Sequence, residues 1–326
     1  MRHSYLLFLL PTLLLTACKD NLNIADTLEP ARLTVYCLPA PGDSTRIAVY
    51  RSLPVPSRGN VKAITDARIS YRVNGHEYPA RHTAYGQYMV YAPQKAGDCI
   101  MLEVAADGLE NTHAEAVIPP TVVIDSMRMT DIRLYDDDYQ SVRNFHRFAV
   151  TFTDDGRSND FYGVCITKTT VRDYSGYGDS FTATDNMGLN RKSEPLLRGL
   201  SEVDKDFGFE DETYNNFYVF DDATINGKTY TLHLDTPADY SHYGKQSYQV
   251  RLYRLTPEFY RFVTNINDVA NNELAKAGLS YIKPTPTNIR GGLGLLGACT
   301  VAKSDSVNIS QNNDNNNPIY HETKKR

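Results

Sequence analysis

Asp66-Ala67-Arg68-Ile69-Ser70-Tyr71-Arg72-Val73-Asn74-Gly75 is the stretch on which the reading of the fold turns. Small or apolar residues alternate with polar ones at a period of two, which sorts the side chains onto the two faces of a strand. Asn-Gly follows at once. Both residues tolerate the positive φ of a tight hairpin turn, so the stretch predicts a half-buried strand that doubles back on itself.

The same pattern extends in both directions. Upstream, Arg32–Leu38 alternates, Pro39-Ala40-Pro41-Gly42-Asp43 reads as a turn, and Arg46–Tyr50 reads as the hairpin partner. Downstream, Gly86–Tyr91 and Cys99–Val104 are strand-like, the latter with Ile100, Leu102 and Val104 on one face. Five to seven short strands at this spacing predict a β-sandwich of immunoglobulin-like or prealbumin-like size over residues 31–120. It closes at Ile118-Pro119-Pro120, because neither proline can donate to a sheet ladder.

Residues 121–310 read as a larger β-rich domain. It opens at Val122–Ser126, and strands follow at Phe145–Phe152, Phe161–Thr170, Phe217–Phe220, Thr229–Leu234 and Ser247–Leu255, with Asn226-Gly227 marking a hairpin. Residues 173–190 and 201–216, rich in Gly, Asp and Tyr, read as long loops. One helix is expected near residues 257–277. Thr256 suits the N-cap, Pro257 the first helical position, and Glu258 the positive helix start. Phe259, Phe262, Val263, Ile266 and Ala270 recur at helical spacing, and Gly278 supplies a stop. Residues 311–326 look too polar to bury anything and are expected to be disordered. The fold class is therefore mainly β, an N-terminal β-sandwich followed by a β-rich domain with one packed α-helix. The 23 Tyr and 12 Phe, with no Trp, fit half-buried strand positions better than an aromatic ligand platform.

The N-terminus gives the location. Arg2 precedes an apolar run from Leu6 to Leu15, and Leu15-Thr16-Ala17-Cys18 has the form of a lipobox. The run is too short for a retained membrane helix, so residues 1–17 are expected to be a lipoprotein signal peptide. Cys18 would then carry acyl chains such as palmitate, and residues 18–30 would tether the folded part to the membrane. Arg2 leaves with the signal, so the mature chain holds 33 Lys and Arg against 39 Asp and Glu. A mildly acidic chain lacks the footprint of a nucleic-acid binder, and membrane attachment falls to the lipid.

Four cysteines remain after the anchor. Cys37 and Cys99 fall in the first domain and Cys165 and Cys299 in the second, and none has metal-ligand spacing. Two disulfides or four buried thiols are both compatible with this distribution. Gly292-Leu293-Gly294-Leu295-Leu296-Gly297 matches the dinucleotide-binding pattern in letters alone, since no helix follows and the chain soon ends. The glycines read instead as positions of bending or close backbone approach, with Leu293, Leu295 and Ala298 buried against the second domain. Asp136-Asp137-Asp138, Asp154-Asp155-Gly156 and Asp204-Lys205-Asp206-Phe207-Gly208 lack EF-hand spacing and read as solvated acidic turns. No HExxH and no G-x-S-x-G occur, so neither a metal ligand set, nor catalytic residues, nor a cofactor is expected.

Three stretches together resemble a known family: Thr151-Phe152-Thr153-Asp154 through Asn159-Asp160-Phe161-Tyr162, Phe220-Asp221-Asp222 through Asn226-Gly227-Lys228-Thr229-Tyr230, and Asn288-Ile289-Arg290-Gly291-Gly292-Leu293-Gly294-Leu295-Leu296-Gly297-Ala298. They resemble the Bacteroidetes lipoproteins carrying domain of unknown function 4249. That resemblance implies an outer-membrane-associated lipoprotein, facing the periplasm or the cell surface, with no activity and no catalytic residues to transfer. It further implies an accessory or binding role beside a TonB-dependent nutrient receptor. Other readings are a surface adhesin or structural cell-envelope protein and, more weakly, a hydrolase. Asp26-Thr27-Leu28, Asp43-Ser44-Thr45, Asp125-Ser126-Met127 and Asp305-Ser306-Val307 resemble the O-glycosylation acceptor pattern of that phylum, which makes Thr27, Ser44, Ser126 and Ser306 the candidate acceptors.

Overall fold

The computed structural model of the chain describes residues 30–53, 62–136, 139–174, 179–197, 216–239, 244–270, 285–310 and 319–322. The first unit holds β1 (Leu33–Cys37), β2 (Gly42–Arg51), β3 (Lys62–Ala63), β4 (Arg68–Val73), β5 (His76–Ala84), β6 (Gln87–Gln94), β7 (Cys99–Ala105) and β8 (Thr112–Val117). The hairpin predicted at Asn74-Gly75 forms, with both residues at positive φ and β4 folded back on β5.

The strands lie in the order β1-β2-β6-β5-β4-β7-β8, with β3 on β2. β5 is the corner of this sheet. It pairs with β6 on one side and β4 on the other, and most of its residues are exposed. Folding at that corner brings Leu33, Val35, Ile47, Val49 and Val90 against Tyr71, Ile100, Leu102 and Val104 in one core. Removing these side chains from water is the main stabilising term for the unit. The turn expected at residues 39–43 is shorter in the structure, because β2 already begins at Gly42.

The rest of the chain holds β9 (Ile124–Asp136), β10 (Ser141–Thr153), β11 (Phe161–Tyr174), β12 (Asp179–Met187), β13 (Tyr218–Asp221), β14 (Thr229–Pro237), β15 (Lys245–Leu255), α1 (Pro257–Ala270), β16 (Leu293–Leu296), β17 (Cys299–Lys303), β18 (Val307–Ser310) and β19 (Ile319–Glu322), and all of these except β16 build the second unit. A three-stranded sheet, β14-β10-β9, packs on a larger sheet ordered β12-β11-β15-β18-β19, with β13 on β11 and β17 on β15. Phe148, Val150, Phe152, Tyr162, Val164, Val250 and Leu252 fill the space between them. The other face of the larger sheet packs on α1 through Val219, Leu255, Phe259, Phe262 and Val263. Tyr36, Leu38 and Ala40 of the first unit join this cluster, so α1 is wedged between the two units.

Three sequence expectations need correction. Within the expected loop 173–190, residues 173–174 and 179–187 are strand, the end of β11 and all of β12, paired from Ile166↔Met187 to Tyr174↔Asp179. Polar and glycine-rich composition hid a hairpin whose strands are held by backbone bonds. The tail is not wholly irregular either, because Ile319–Glu322 pairs with Val307–Ser310. A strand added at a sheet edge draws on main-chain hydrogen bonds and needs no apolar side chain. Residues 201–215, and the helix beyond Ala270, lie outside the described residues.

The third correction concerns the glycine-rich segment. β16 leaves the second unit and lies parallel to β1, as the outermost strand of the first sheet. Ile289, Leu296 and Ala298 are part of the first core, whereas Leu295 and Cys299 belong to the cluster around α1. The boundary at Pro119-Pro120 thus separates the sheets but not the sequence, which returns to the first unit near its end.

Candidate functional site

Two of the motifs named above, far apart in sequence, meet in space. β10 ends at Thr153 and the chain turns through Asp154-Asp155-Gly156 before β11 begins at Phe161. β13 ends at Asp221, and the turn from Asp222 to Lys228 leads into β14; β13 pairs with β11 and β14 with β10, so Asn226-Gly227 lies in a connection between two sheets and not in the hairpin expected from the sequence. The Asp222 carbonyl accepts from the amides of Ile225 and Asn226, which closes that turn. Gly156 and Gly227 let the two turns touch through their backbones. A β-carbon on Gly156 would lie 2.7 Å from the Gly227 Cα, and both glycines have φ +67°.

The carboxylates of Asp154, Asp160 and Asp222 converge here. All three are buried, and their oxygens lie within 4.8 Å of one another, which makes them a group able to hold a metal ion. Asp154 accepts from the Tyr162 hydroxyl at 2.5 Å and from the amides of Gly156 and Gly227 at 3.0 and 2.7 Å. Asp160 accepts from the Ser158 hydroxyl at 2.9 Å and from the Arg254 guanidinium. Asp222 accepts from the Asp160 amide at 2.8 Å and the Asn226 side-chain amide at 3.1 Å. Arg254 extends from β15 and also reaches Asp155 at 3.5 Å.

The electrostatics follow from burial and crowding. Burial first, and then the charges of Asp154 and Asp160, push the Asp222 carboxyl above its usual range, against the pull of its hydrogen bond from the Asp160 amide. Asp155 moves down, because the Arg157 amide and then the Arg254 charge favour its ionised form. Burial opposes the charge of Arg254, but its bond and ion pair to Asp160 outweigh that and raise it. Burial and the Asp154 carboxylate together raise the Tyr162 hydroxyl. Each carboxylate therefore meets donors supplied by the protein, and the group works as a latch that ties the β10–β11 and β13–β14 turns to β15. Sequence reasoning read Asp154-Asp155-Gly156 as a solvated acidic turn, whereas Asp154 is buried because its carboxylate closes on the turn amides and the Tyr162 hydroxyl, and it missed Arg254. The family-like motifs contained Asp154, Asp160, Asp222, Asn226 and Gly227, but nothing around Arg254 marked it.

The closing motif is a second constellation. The Asn288 side chain pairs with both backbone groups of Leu296, donating to its carbonyl at 2.8 Å and accepting from its amide at 3.0 Å. A β-carbon on Gly294 would lie 2.0 Å from the Val35 carbonyl oxygen, and one on Gly292 would lie 2.7 Å from that of Leu33. The glycines thus admit β16 against β1. The Thr256 hydroxyl, expected to cap α1, accepts from the Ala298 amide at 3.1 Å, so the start of the helix is tied to this motif.

The other predicted positions do not gather. Cys18 and Thr27 lie outside the described residues. Ser44 and Ser126 are exposed on strands β2 and β9, while Ser306 is half-buried between β17 and β18. Cys37, Cys99, Cys165 and Cys299 are free thiols, so the two-disulfide alternative does not hold in this structure. Geometry explains this. Cys37 faces the first core, whereas Cys99 is only half-buried on the opposite side of its strand's apolar row. Cys165 and Cys299 flank β15 on opposite sides, paired with Arg251 and Leu255. Two strand spacings separate them by about 10 Å, beyond the roughly 7 Å Cα limit for a disulfide. Burial raises the Cys165 thiol to about 11, which makes it inert.

Both constellations lie within residues 20–305, which match the family model described as Domain of unknown function (DUF4249). The chain belongs to that family. No curated protein matches the DUF4249 chain in sequence. Among solved structures it is similar to the collagen adhesin CNA from S. aureus, at 7% identity over 86% of this chain and 94% of that one, with a TM-score of 0.18. Among the described residues of the DUF4249 chain, no helix is long and apolar enough to cross a membrane.

Proposed function

We propose that this DUF4249 chain is a lipid-anchored outer-membrane protein of the Bacteroidetes type. In this reading it serves as a non-enzymatic binding or accessory component of a TonB-dependent nutrient uptake system. The observation that carries the reading is the lipobox Leu15-Thr16-Ala17-Cys18, which ends two residues before the family region begins at residue 20. An acylated Cys18 followed by a polar tether would hold both β-units against a membrane without a spanning helix. The site chemistry is compatible with a binding role. The carboxylates that could act as acid or base, Asp154, Asp160 and Asp222, are engaged by amides, hydroxyls and Arg254.

The test is fractionation of native cells followed by pull-down. Wild-type protein is expected in the outer membrane and in a complex with a β-barrel receptor, while Cys18→Ala is expected to be soluble or unprocessed. A Cys18→Ala protein that fractionates with membranes as the wild type does would overturn the anchor. A correctly anchored protein with no barrel partner would overturn the uptake role.

A further inference from the structure

The sheets do not all end in the same way. In the first unit β8 and β16 are the outermost strands, but His113 and Arg290 exchange backbone bonds of 3.1 and 2.9 Å across the gap between them. In the second unit the chain beyond β12 runs along β14. There the Asn190 amide donates to the Asp235 carbonyl at 2.8 Å and the His233 amide to Glu194 at 2.8 Å. β9, the other edge of that three-stranded sheet, carries no second strand among the described residues. It is 13 residues long, and Met129 is its single buried residue. Its register with β10 is unbroken from Ser126 to Asp136, and this stretch holds no proline and no lysine. A long, regular edge without such blocking devices is a template for another strand.

The sheet also sets which backbone groups of β9 face outward. The Ala238 amide donates to the Asn144 carbonyl at 3.0 Å, so the even-numbered residues of β10 turn their backbone groups to β14 and the odd-numbered ones to β9. Phe145 and Arg147 lie opposite Ile132 and Thr130. The odd-numbered residues of β9, among them Met129, Arg133 and Tyr135, therefore direct amide and carbonyl away from β10. Arg128 and Arg133 are exposed, and Tyr135 is 57% exposed.

We propose that β9 is a homodimer seam, to which a second copy of the chain adds its own β9 antiparallel with Ile132 on the twofold axis. A twofold axis normal to the sheet keeps each face of one copy level with the same face of the other, so even residues meet even ones and odd meet odd. With Ile132 opposite Ile132, Asp131 of each copy faces Arg133 of the other, Arg128 faces Asp136, and Thr130 faces Leu134. Tyr135 comes beside Met129 of the second copy, which covers its exposed ring. The odd-numbered pairs are then the hydrogen-bonded ones.

Charge selects this register. Moving the axis to Asp131 sets Asp131 against Asp131, and moving it to Arg133 sets Arg133 against Arg133. Like charges directly opposite one another destabilise a ladder. His146 Nδ1 lies 2.7 Å from Asp131, and burial pulls that imidazole below its ordinary value, so it is neutral near neutral pH and Asp131 keeps its negative charge. Asp136 holds Arg143 at 3.0 Å. A carboxylate has about four acceptor sites, so neither bond need break when a second arginine approaches. Such a dimer would form whether or not the protein serves an uptake system.

The experiment is sedimentation equilibrium on the mature Cys18→Ala chain, free of residues 1–17, together with oxidative cross-linking of cysteine variants. The chain is expected to pass from monomer to dimer between about 1 and 100 µM, the range of a small interface. Arg133→Asp sets like charges opposite each other at two symmetric points. It is expected to weaken the dimer at least about tenfold, at unchanged melting temperature because Arg133 is exposed. Ile132→Cys is expected to give a disulfide-linked dimer, since a non-hydrogen-bonded pair has Cα atoms about 4.5 Å apart. Thr130→Cys is expected to give none, because its two copies would stand four residues out of line, about 13 Å. A monomer throughout that range would overturn the proposal. So would a dimer that Arg133→Asp leaves intact, or one that Ile132→Cys fails to link. The membrane anchor and the barrel partner are read separately, by the fractionation and the pull-down.

Discussion

The acidic latch and the glycine strand do the same mechanical job by opposite means. The latch holds two turns to β15 with charge and hydrogen bonds, in a space where three carboxylates crowd together and one of them, Asp160, pairs with the Arg254 guanidinium. The glycine strand holds the end of the chain to β1 by having no side chains in the way, so that a parallel ladder forms within contact distance of Val35. In the first, each member is replaceable only by a group that can make the same hydrogen bonds from the same place. In the second, nothing larger than hydrogen is tolerated. A sequence motif can therefore mark a place where the chain must fit itself, as readily as one where it must fit a ligand.

This contrast can be broken most severely at Gly294. Valine there would place its β-carbon against the Val35 carbonyl at a φ of +103°, and a destabilisation above about 4 kcal/mol is expected, read by urea unfolding. A Gly294→Val protein of native stability would remove the close-approach argument. Asp160→Ala comes next. It strips Arg254 of its main partner and leaves a buried cation, for an expected loss of about 3 kcal/mol. Asn288→Ala should cost about 2 kcal/mol, because the Leu296 amide and carbonyl lose their side-chain partner. Asp222→Asn should be the mildest, below about 1 kcal/mol, since the asparagine oxygen can still accept from the Asp160 amide.

The last variant also has a pH signature. The folded-state pKa of Asp222 is raised, so the folded protein holds this proton more tightly than the unfolded chain does. Its contribution is fully present below the ordinary carboxylate value of about 4 and is lost as pH rises through the folded value. Unfolding measured from pH 4 upward is expected to show the wild type declining relative to Asp222→Asn. Parallel curves would mean that the crowding of the three carboxylates has no energetic consequence.

Much of this architecture could be read in advance wherever a local rule and the tertiary context agreed. The Asp66–Gly75 hairpin, the strand carrying Ile100, Leu102 and Val104, and the start of α1 at Pro257 all stand where alternation, turn chemistry and helical spacing placed them. Failures came where side-chain pattern is not what holds the element. β12 and β19 are secured by backbone pairing and were taken for irregular chain. β16 was assigned to the unit that precedes it in sequence, because no local signal says which sheet edge a glycine strand will join. The latch was legible as separate aspartates and not as a site, since Asp154 and Asp222 are sixty-eight positions apart and Arg254 sits in an ordinary strand pattern.

Taken alone, the sequence determined the β-rich class, the hairpin at Asn74-Gly75 and the start of the helix, because each of these depends on residues within one or two turns of each other. The tertiary structure decided which carboxylates share a space, which sheet takes in the closing strand, and that the four described cysteines remain thiols. These are matters of register and proximity between distant segments. They are settled by how two cores bury their apolar surface together, and that is a property of the packed chain, not of any stretch within it.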